Sequence, residues 1–248
     1  MSTNSNSSRF DPTPHFIAYL DILGYKEKAN AGDVKLAETI DSTLDNVADF
    51  VKWFKGREID MERDIKIKAF SDNILICTET NWDLLFLTVG VLQHRMISNG
   101  YFVRGALCHS ELYFDERFLF GRGVVMAHKI ESEIAKVPRI ILHSSYRDAA
   151  NASVDPPDEI LFDVFTAVAG GLPLYLHDVD GYMFLNYLSI AIAMLEDQKQ
   201  DKINNILADH CDKILHNIKD CEKRCLPQGI MEKFQWCLQY HNRFCREN

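Results

Sequence analysis

Asp21 and Asp72 are the two residues whose surroundings call for a chemical explanation. Asp21 interrupts the apolar run "FIAYLDILGY", Phe16–Tyr25, where a carboxylate is costly unless it is paired, hydrogen-bonded or bound to a cation. Asp72 lies in "KAFSDNILI", between two alternating segments and at the turn of a hairpin. Two carboxylates held close repel each other and favour a divalent cation, and oxygen ligands suit Mg2+ or Mn2+. Two such ions lower the pKa of an attacking hydroxyl and neutralise a transferring phosphoryl group. Taken alone, each aspartate reads as a turn or cap residue; as a pair on adjacent strands they read as a metal site.

The elements that must bring the pair together follow from hydrophobic periodicity. Residues 14–20 are short, apolar and aromatic, a buried strand ending at Asp21. Leu36, Ile40, Leu44, Val47, Val51 and Phe54 recur at helical steps. "RDIKIKAFSDNILICTE" is a hairpin, and a second helix covers about 82–98 with Leu84, Leu85, Val91 and Leu92 on its apolar face. "GYFVRGALCHSELYF" is a strand with a partner near 117–120, followed by a helix from Gly121 to about Ala135. A strand "PRIILH", a helical "SSYRDAA", a loop "NASVDPPDE" and a hairpin "PLYLHDVDGYMFLNYL" come next, the last turning at Asp180-Gly181. Asp178 and Asp180 imitate a metal site, but the hairpin turn explains them more simply.

From Ser189 the pattern becomes amphipathic helix, with Ile203, Ile206, Leu207, His210, Ile214 and Ile218 on one stripe. "LPQG" breaks it before a last helix, "IMEKFQWCLQYHNRF". The order β-α-β-β-α-β predicts an α+β, ferredoxin-like core with a helical C-terminal addition. Residues 1–13 read as a disordered lead-in, 14–188 as a catalytic domain and 189–248 as a helical extension packed on the core or on a dimer. In this order the first strand lies beside the hairpin that follows the crossover helix, so Asp21 and Asp72 meet at one edge of the sheet.

Bulk composition narrows the function classes. The 248 residues are 47% hydrophobic, enough for a full core. A net charge of -9 without a basic run argues against nucleic acid held by its backbone. No stretch approaches the length of a membrane-spanning helix. The polar start "MSTNSNSSRFDPTP" lacks an apolar signal region. The seven scattered cysteines fit reduced thiols of a cytoplasmic protein. Cys221, Cys225, His210 and His216 do not have zinc spacing and read as helix thiols and imidazoles.

Read in order, these segments resemble the class III nucleotidyl cyclases. "FIAYLDILGY" is similar to their strand-Asp-Ile-x-Gly-aromatic motif, and "KAFSDNILI" to their Gly-Asp hairpin turn with Ser71 in place of glycine. "VRGALCHS" resembles their Arg-x-Gly strand, with Ala106 and Ser110 as the small residues, and "GRGVVMAHKIES" matches their helix motif without a gap. "VPRIILHSSY" follows where that family has a strand and helix, so the likeness runs from about Phe16 to Ala150. A haloacid-dehalogenase phosphatase would need a second acid two positions after Asp21, where this chain has Leu23.

The resemblance implies that Asp21, Asp72 and the Ile22 carbonyl hold two Mg2+ or Mn2+ ions. The ions would activate the ribose 3′-hydroxyl to attack the α-phosphate and expel pyrophosphate. Arg104 falls on a triphosphate-binding position and otherwise reads as a surface arginine at a strand end. Lys68 falls on a base-recognition position and otherwise reads as a solvent-facing lysine. Where the family has its ribose-steering asparagine this chain has Val125, and where it has its transition-state arginine, Lys129. Lys129 keeps the charge but not the bidentate fork; His128 is a substitute donor or a helix-surface histidine.

Phe118 replaces the acid that reads the adenine amino group, which suggests a different, smaller base. The "RGA" strand, the Ala127-to-Glu131 helix spacing and the helical tail make the chain most similar to the Pycsar pyrimidine cyclases of bacterial anti-phage defence. These act as homodimers with shared sites, and their cyclic UMP or cyclic CMP activates a separate effector. The expected function is a uridylate or cytidylate cyclase, with UTP against CTP left open. The alternatives are an adenylate or guanylate cyclase, supported by Lys68 and opposed by Phe118, and a catalytically degenerate nucleotide-binding fold, motivated by Val125 and Lys129.

Overall fold

Strand β1 (Thr13–Ile22) is apolar on both sides because both sides are buried. Phe16, Ala18, Leu20 and Ile22 face one layer, and Ile17 and Tyr19 face the other. That is why "FIAYL" does not alternate. The protein is described by a computed structural model over residues 10–55, 65–153, 172–195, 197 and 199–247. Residues 1–9 of the expected lead-in, 154–159 of the expected loop, and the side chains of Val51 and Phe54 lie outside it. Phe10 is already packed, its ring 5.4 Å from that of Tyr113.

After β1 come the short helix α1 (Tyr25–Asn30) and the crossover helix α2 (Val34–Lys55). The hairpin β2 (Lys66–Phe70) and β3 (Asn73–Thr78), helix α3 (Trp82–Ser98) and strand β4 (Val103–Phe114) complete the core. β1 pairs antiparallel with both β3 and β4, and β2 with β3, which gives the ferredoxin-like order β2-β3-β1-β4. Gly105 of β4 is required here, because a Cβ would lie 2.2 Å from the Tyr19 carbonyl oxygen. At Gly123 the contact is more yielding, because a Cβ would meet the end of the Ile17 side chain at 2.3 Å and the Glu111 carbonyl oxygen at 3.1 Å.

The sheet does not stop at the core. β5 (Leu119–Phe120) folds back on the end of β4, and helix α4 (Arg122–Glu133) then returns along β4 and β1. β6 (Ile140–Leu142) pairs parallel with β4, and helix α5 (Ser144–Ala152) follows it. The hairpin β7 (Tyr175–His177) and β8 (Met183–Leu185) adds to β6, giving β2-β3-β1-β4-β6-β8-β7 among the described residues. The hairpin was legible, but its place in the same sheet was not.

α3 is buried nearly all round, Thr88 and Gln93 included, rather than on one face. It lies against α2 on one side and against α6 (Tyr187–Ala193) and α7 (Gln200–Lys223) on the other. The expected division after residue 188 falls inside α6. α8 (Gln228–Glu247) packs along α7 and closes the layer, with Phe234 edge-on to Phe102 at 5.0 Å. No helix among the described residues is long and apolar enough to cross a membrane.

The β2–β3 turn is a two-residue loop, Ser71–Asp72, set by the pairing of Phe70 with Asn73. Ser71 has a φ of 54°, a left-handed conformation that costs a side-chain-bearing residue about 1–2 kcal/mol. Glycine removes that cost but loses entropy on folding, so Ser71→Gly is expected to stabilise the fold by no more than about 1 kcal/mol. A rise in the urea midpoint checks this; a fall would count against the left-handed turn.

Candidate active site

Asp21 sits on β1 opposite Asn73 of β3 and Arg104 of β4. The β2–β3 turn is tied to this end of β1, because the Ile22 amide donates to the Asp72 carbonyl at 2.8 Å. Both expected metal-binding aspartates therefore stand at the same edge of the sheet. Asn73 Nδ2 donates to Asp72 Oδ1 at 2.8 Å and orients that carboxylate.

Arg104 has a protein partner at each guanidinium nitrogen. Its Nε donates to Asp21 Oδ2 at 2.8 Å, its Nη1 to the Ala135 carbonyl at 3.3 Å, and its Nη2 meets Glu131 Oε1 at 2.7 Å as an ion contact. Glu131 comes from α4, and its side chain is only 4% exposed. Burial pushes its carboxyl pKa up, opposed by the attraction of Arg104. Beneath the cluster lies Tyr19, whose phenol is pushed up to about 12, first by burial and then by the charges of Glu131, Asp21 and Asp72. The phenol thus reports a convergence of negative charge at this point.

A divalent cation suits that field. Asp21 Oδ1 and Asp72 Oδ2 accept no hydrogen bond from the described residues, so each carboxylate keeps an oxygen for a ligand role. Among the described residues no group of three or more His, Cys, Asp or Glu forms a metal cluster. The candidate ligand set is the one expected from sequence, two carboxylates with the Ile22 carbonyl beside them.

Of the remaining expected residues, His128 borders this cluster and the others lie elsewhere. Lys68 donates to the Asp115 and Glu116 carbonyls at 3.3 and 3.0 Å, bridging β2 to the β4–β5 hairpin. Phe118, in that hairpin, packs tilted against Phe10 and Tyr113 at 5.5 Å and keeps part of its ring exposed. His128 is largely exposed, with Nδ1 3.4 Å from the Glu131 carboxylate. Lys129 and Val125 point outward from α4 into a cleft of about 720 Å³ whose other walls include Pro12, Glu111 and Phe120. Pro12 and Glu111 flank the start of β1, the opposite end from Asp21. A single chain therefore gathers Asp21, Ile22, Asp72 and Arg104 but not Lys129, Lys68 or Phe118.

Sequence reasoning assigned no role to Tyr19, Glu131 or Lys233. Lys233 of α8 is half-buried and feels the charges of Arg104, Asp21, Glu131 and Lys136. Glu131 carried a signal, a charged residue at a core-facing helix position; Lys233 carried none, because its neighbours are remote in sequence.

No family model matches the chain, and no curated protein is similar to it. Among solved structures, it is similar to the crystal structure of the adenylyl cyclase CyaB from P. aeruginosa, at 14% identity over 56% of this chain and 81% of that chain, with a TM-score of 0.40. A likeness of that degree carries no weight for activity. The functional reading rests on the motifs and on the geometry at Asp21 and Asp72.

Proposed function

We propose that the protein is a metal-dependent nucleotidyl cyclase acting on a pyrimidine nucleoside triphosphate, UTP or CTP. The observation that carries this reading is the hydrogen bond from the Ile22 amide to the Asp72 carbonyl, which brings the two carboxylates to one edge of the sheet. Bound Mg2+ or Mn2+ would supply charge neutralisation at the phosphates and acidify the ribose hydroxyl. In the reaction the ribose 3′-oxygen bonds to the α-phosphorus as the bond to the bridging oxygen breaks. Pyrophosphate leaves, and the hydroxyl proton passes to solvent. Asp21 and Asp72 hold the reacting edge, and Arg104 fixes the rotamer of Asp21.

Lys68 acts as a positioning residue. Its ammonium is occupied by two carbonyls of the hairpin that carries Phe118, so it sets the aromatic surface offered to the base. The outward placement of Lys129 and Val125 supports a homodimer, in which the α4 face of one copy completes the carboxylate edge of the other. The cyclic UMP or cyclic CMP product would serve as a second messenger to a separate effector in anti-phage defence.

The test is product analysis by mass spectrometry after incubation with each of the four nucleoside triphosphates and Mn2+. Cyclic UMP or cyclic CMP with pyrophosphate is the expected result. Cyclic AMP or cyclic GMP alone would overturn the pyrimidine assignment. Absence of every cyclic product would leave a nucleotide-binding fold without turnover.

A further inference from the structure

We infer that Lys233, supplied by the C-terminal helix α8, is the cation that binds the triphosphate of the nucleotide in this site. The inference rests on the cyclase reading above and names a residue outside the motif-bearing core.

Arg104, the cation expected for that task, has each of its three guanidinium nitrogens engaged, by Asp21, Glu131 and the Ala135 carbonyl. Releasing it to a phosphate would strip a buried glutamate of its counter-charge, which is costly. With Arg104 held in this way, α8 brings a second cation to the site.

Two anchors place α8. Phe234 packs on Phe102 at 5.0 Å, and the Phe102 carbonyl accepts from the Leu23 amide at 2.9 Å, just past Asp21 and just before Arg104. Trp236 Nε1 donates to Asp178 Oδ2 at 2.9 Å; Asp178 pairs with the buried Arg139, whose own carbonyl accepts from the Gly105 amide at 3.1 Å. Lys233 therefore stands where β1 ends and β4 begins. It forms no hydrogen bond or ion pair among the described residues. Burial, then Arg104, holds its ammonium below the usual lysine range. A partly desolvated ammonium without a partner among the described residues, within the field of Asp21, matches a metal-chelated phosphate in both charge and hydrogen bonding.

The test compares wild type with Lys233→Met, which keeps the apolar stem, and with Lys233→Arg. Loss of a charge-assisted contact is expected to raise KM for the nucleotide on the order of tenfold or more in Lys233→Met, with Lys233→Arg close to wild type. Independently of turnover, inorganic tripolyphosphate with Mn2+ should raise the melting temperature of wild type and Lys233→Arg but not of Lys233→Met. Unchanged KM and equal protection in Lys233→Met would overturn the assignment, as would no protection of wild type. A higher kcat in Lys233→Met would also overturn it and make the lysine a plug over the carboxylates. If wild type turns over no nucleotide, the cyclase reading falls, while tripolyphosphate protection that depends on Lys233 would still support a polyphosphate site there.

Discussion

Asp72→Asn should lower turnover by about a thousandfold, the loss expected when several kcal/mol of metal-derived stabilisation is removed. The substitution keeps the hydrogen bond from Asn73 and the shape of the turn, so the melting temperature should barely move. Asp21→Asn should lose as much activity but also cost stability, because Arg104 Nε loses the charge of its partner. Both side chains of that pair are mostly buried, and the charge-assisted bond contributes about 1–3 kcal/mol. Initial rates at saturating Mn2+, measured with thermal melts, separate the two effects. Activity within tenfold of wild type in Asp72→Asn would sink the metal assignment.

Acidification should weaken the helical layer before it protonates most carboxylates. Tyr187 Oη lies 2.6 Å from His210 Nε2, and His210 Nδ1 lies 3.0 Å from His241 Nδ1, so the two rings share one proton between them. Burial lowers His210 to about 3, helped by His241, and lowers His94 to about 4; His241 is also lowered by burial. The folded values lie below the unfolded 6.5, so the stability these groups contribute is present above pH 6.5 and lost as pH falls.

Each histidine that protonates only on unfolding steepens the slope by about 1.4 kcal/mol per pH unit, and His210 and His94 together by about 3. Between pH 6.5 and 4.5 that slope removes about 5 kcal/mol, a large share of the roughly 5–15 kcal/mol by which a domain is usually stable. Urea midpoints, followed by the fluorescence of Trp236 and its neighbours, should fall steeply between pH 6.5 and 5. His94→Leu should remove about one proton from the slope. A flat profile over that range would contradict the buried, neutral imidazoles.

The core was legible because its signals are local. Apolar periodicity placed α2, α3 and α4, alternation around "SDN" placed the β2–β3 turn, and one-dimensional order implied that β1 lies between β3 and β4. Asp21 stood out because a carboxylate in a buried strand has few physical explanations. Arg104 was harder to read, since its environment depends on Glu131 and Ala135, which reach it only when α4 folds back along β4. Asp178 and Asp180 were read as turn residues, and they are, but they also clamp the guanidinium of buried Arg139. Lys233 was invisible for the same reason: no spacing rule links a residue on the last helix to the end of the first strand.

The packing of α8 also orders events during synthesis. Phe234 covers Phe102, and the Tyr240 hydroxyl donates to Asn186 at 2.5 Å and accepts from the Leu188 amide at 3.2 Å. Until residues 228–247 emerge from the ribosome, this part of the helical layer has no cover and the buried Asn186 no complete set of partners. Folding must wait for these late long-range contacts, a slow closure that leaves apolar surface exposed to chaperones or to other nascent chains. The carboxylate edge is encoded in the first hundred or so positions, yet it is completed only once α8, more than a hundred residues later, has been made.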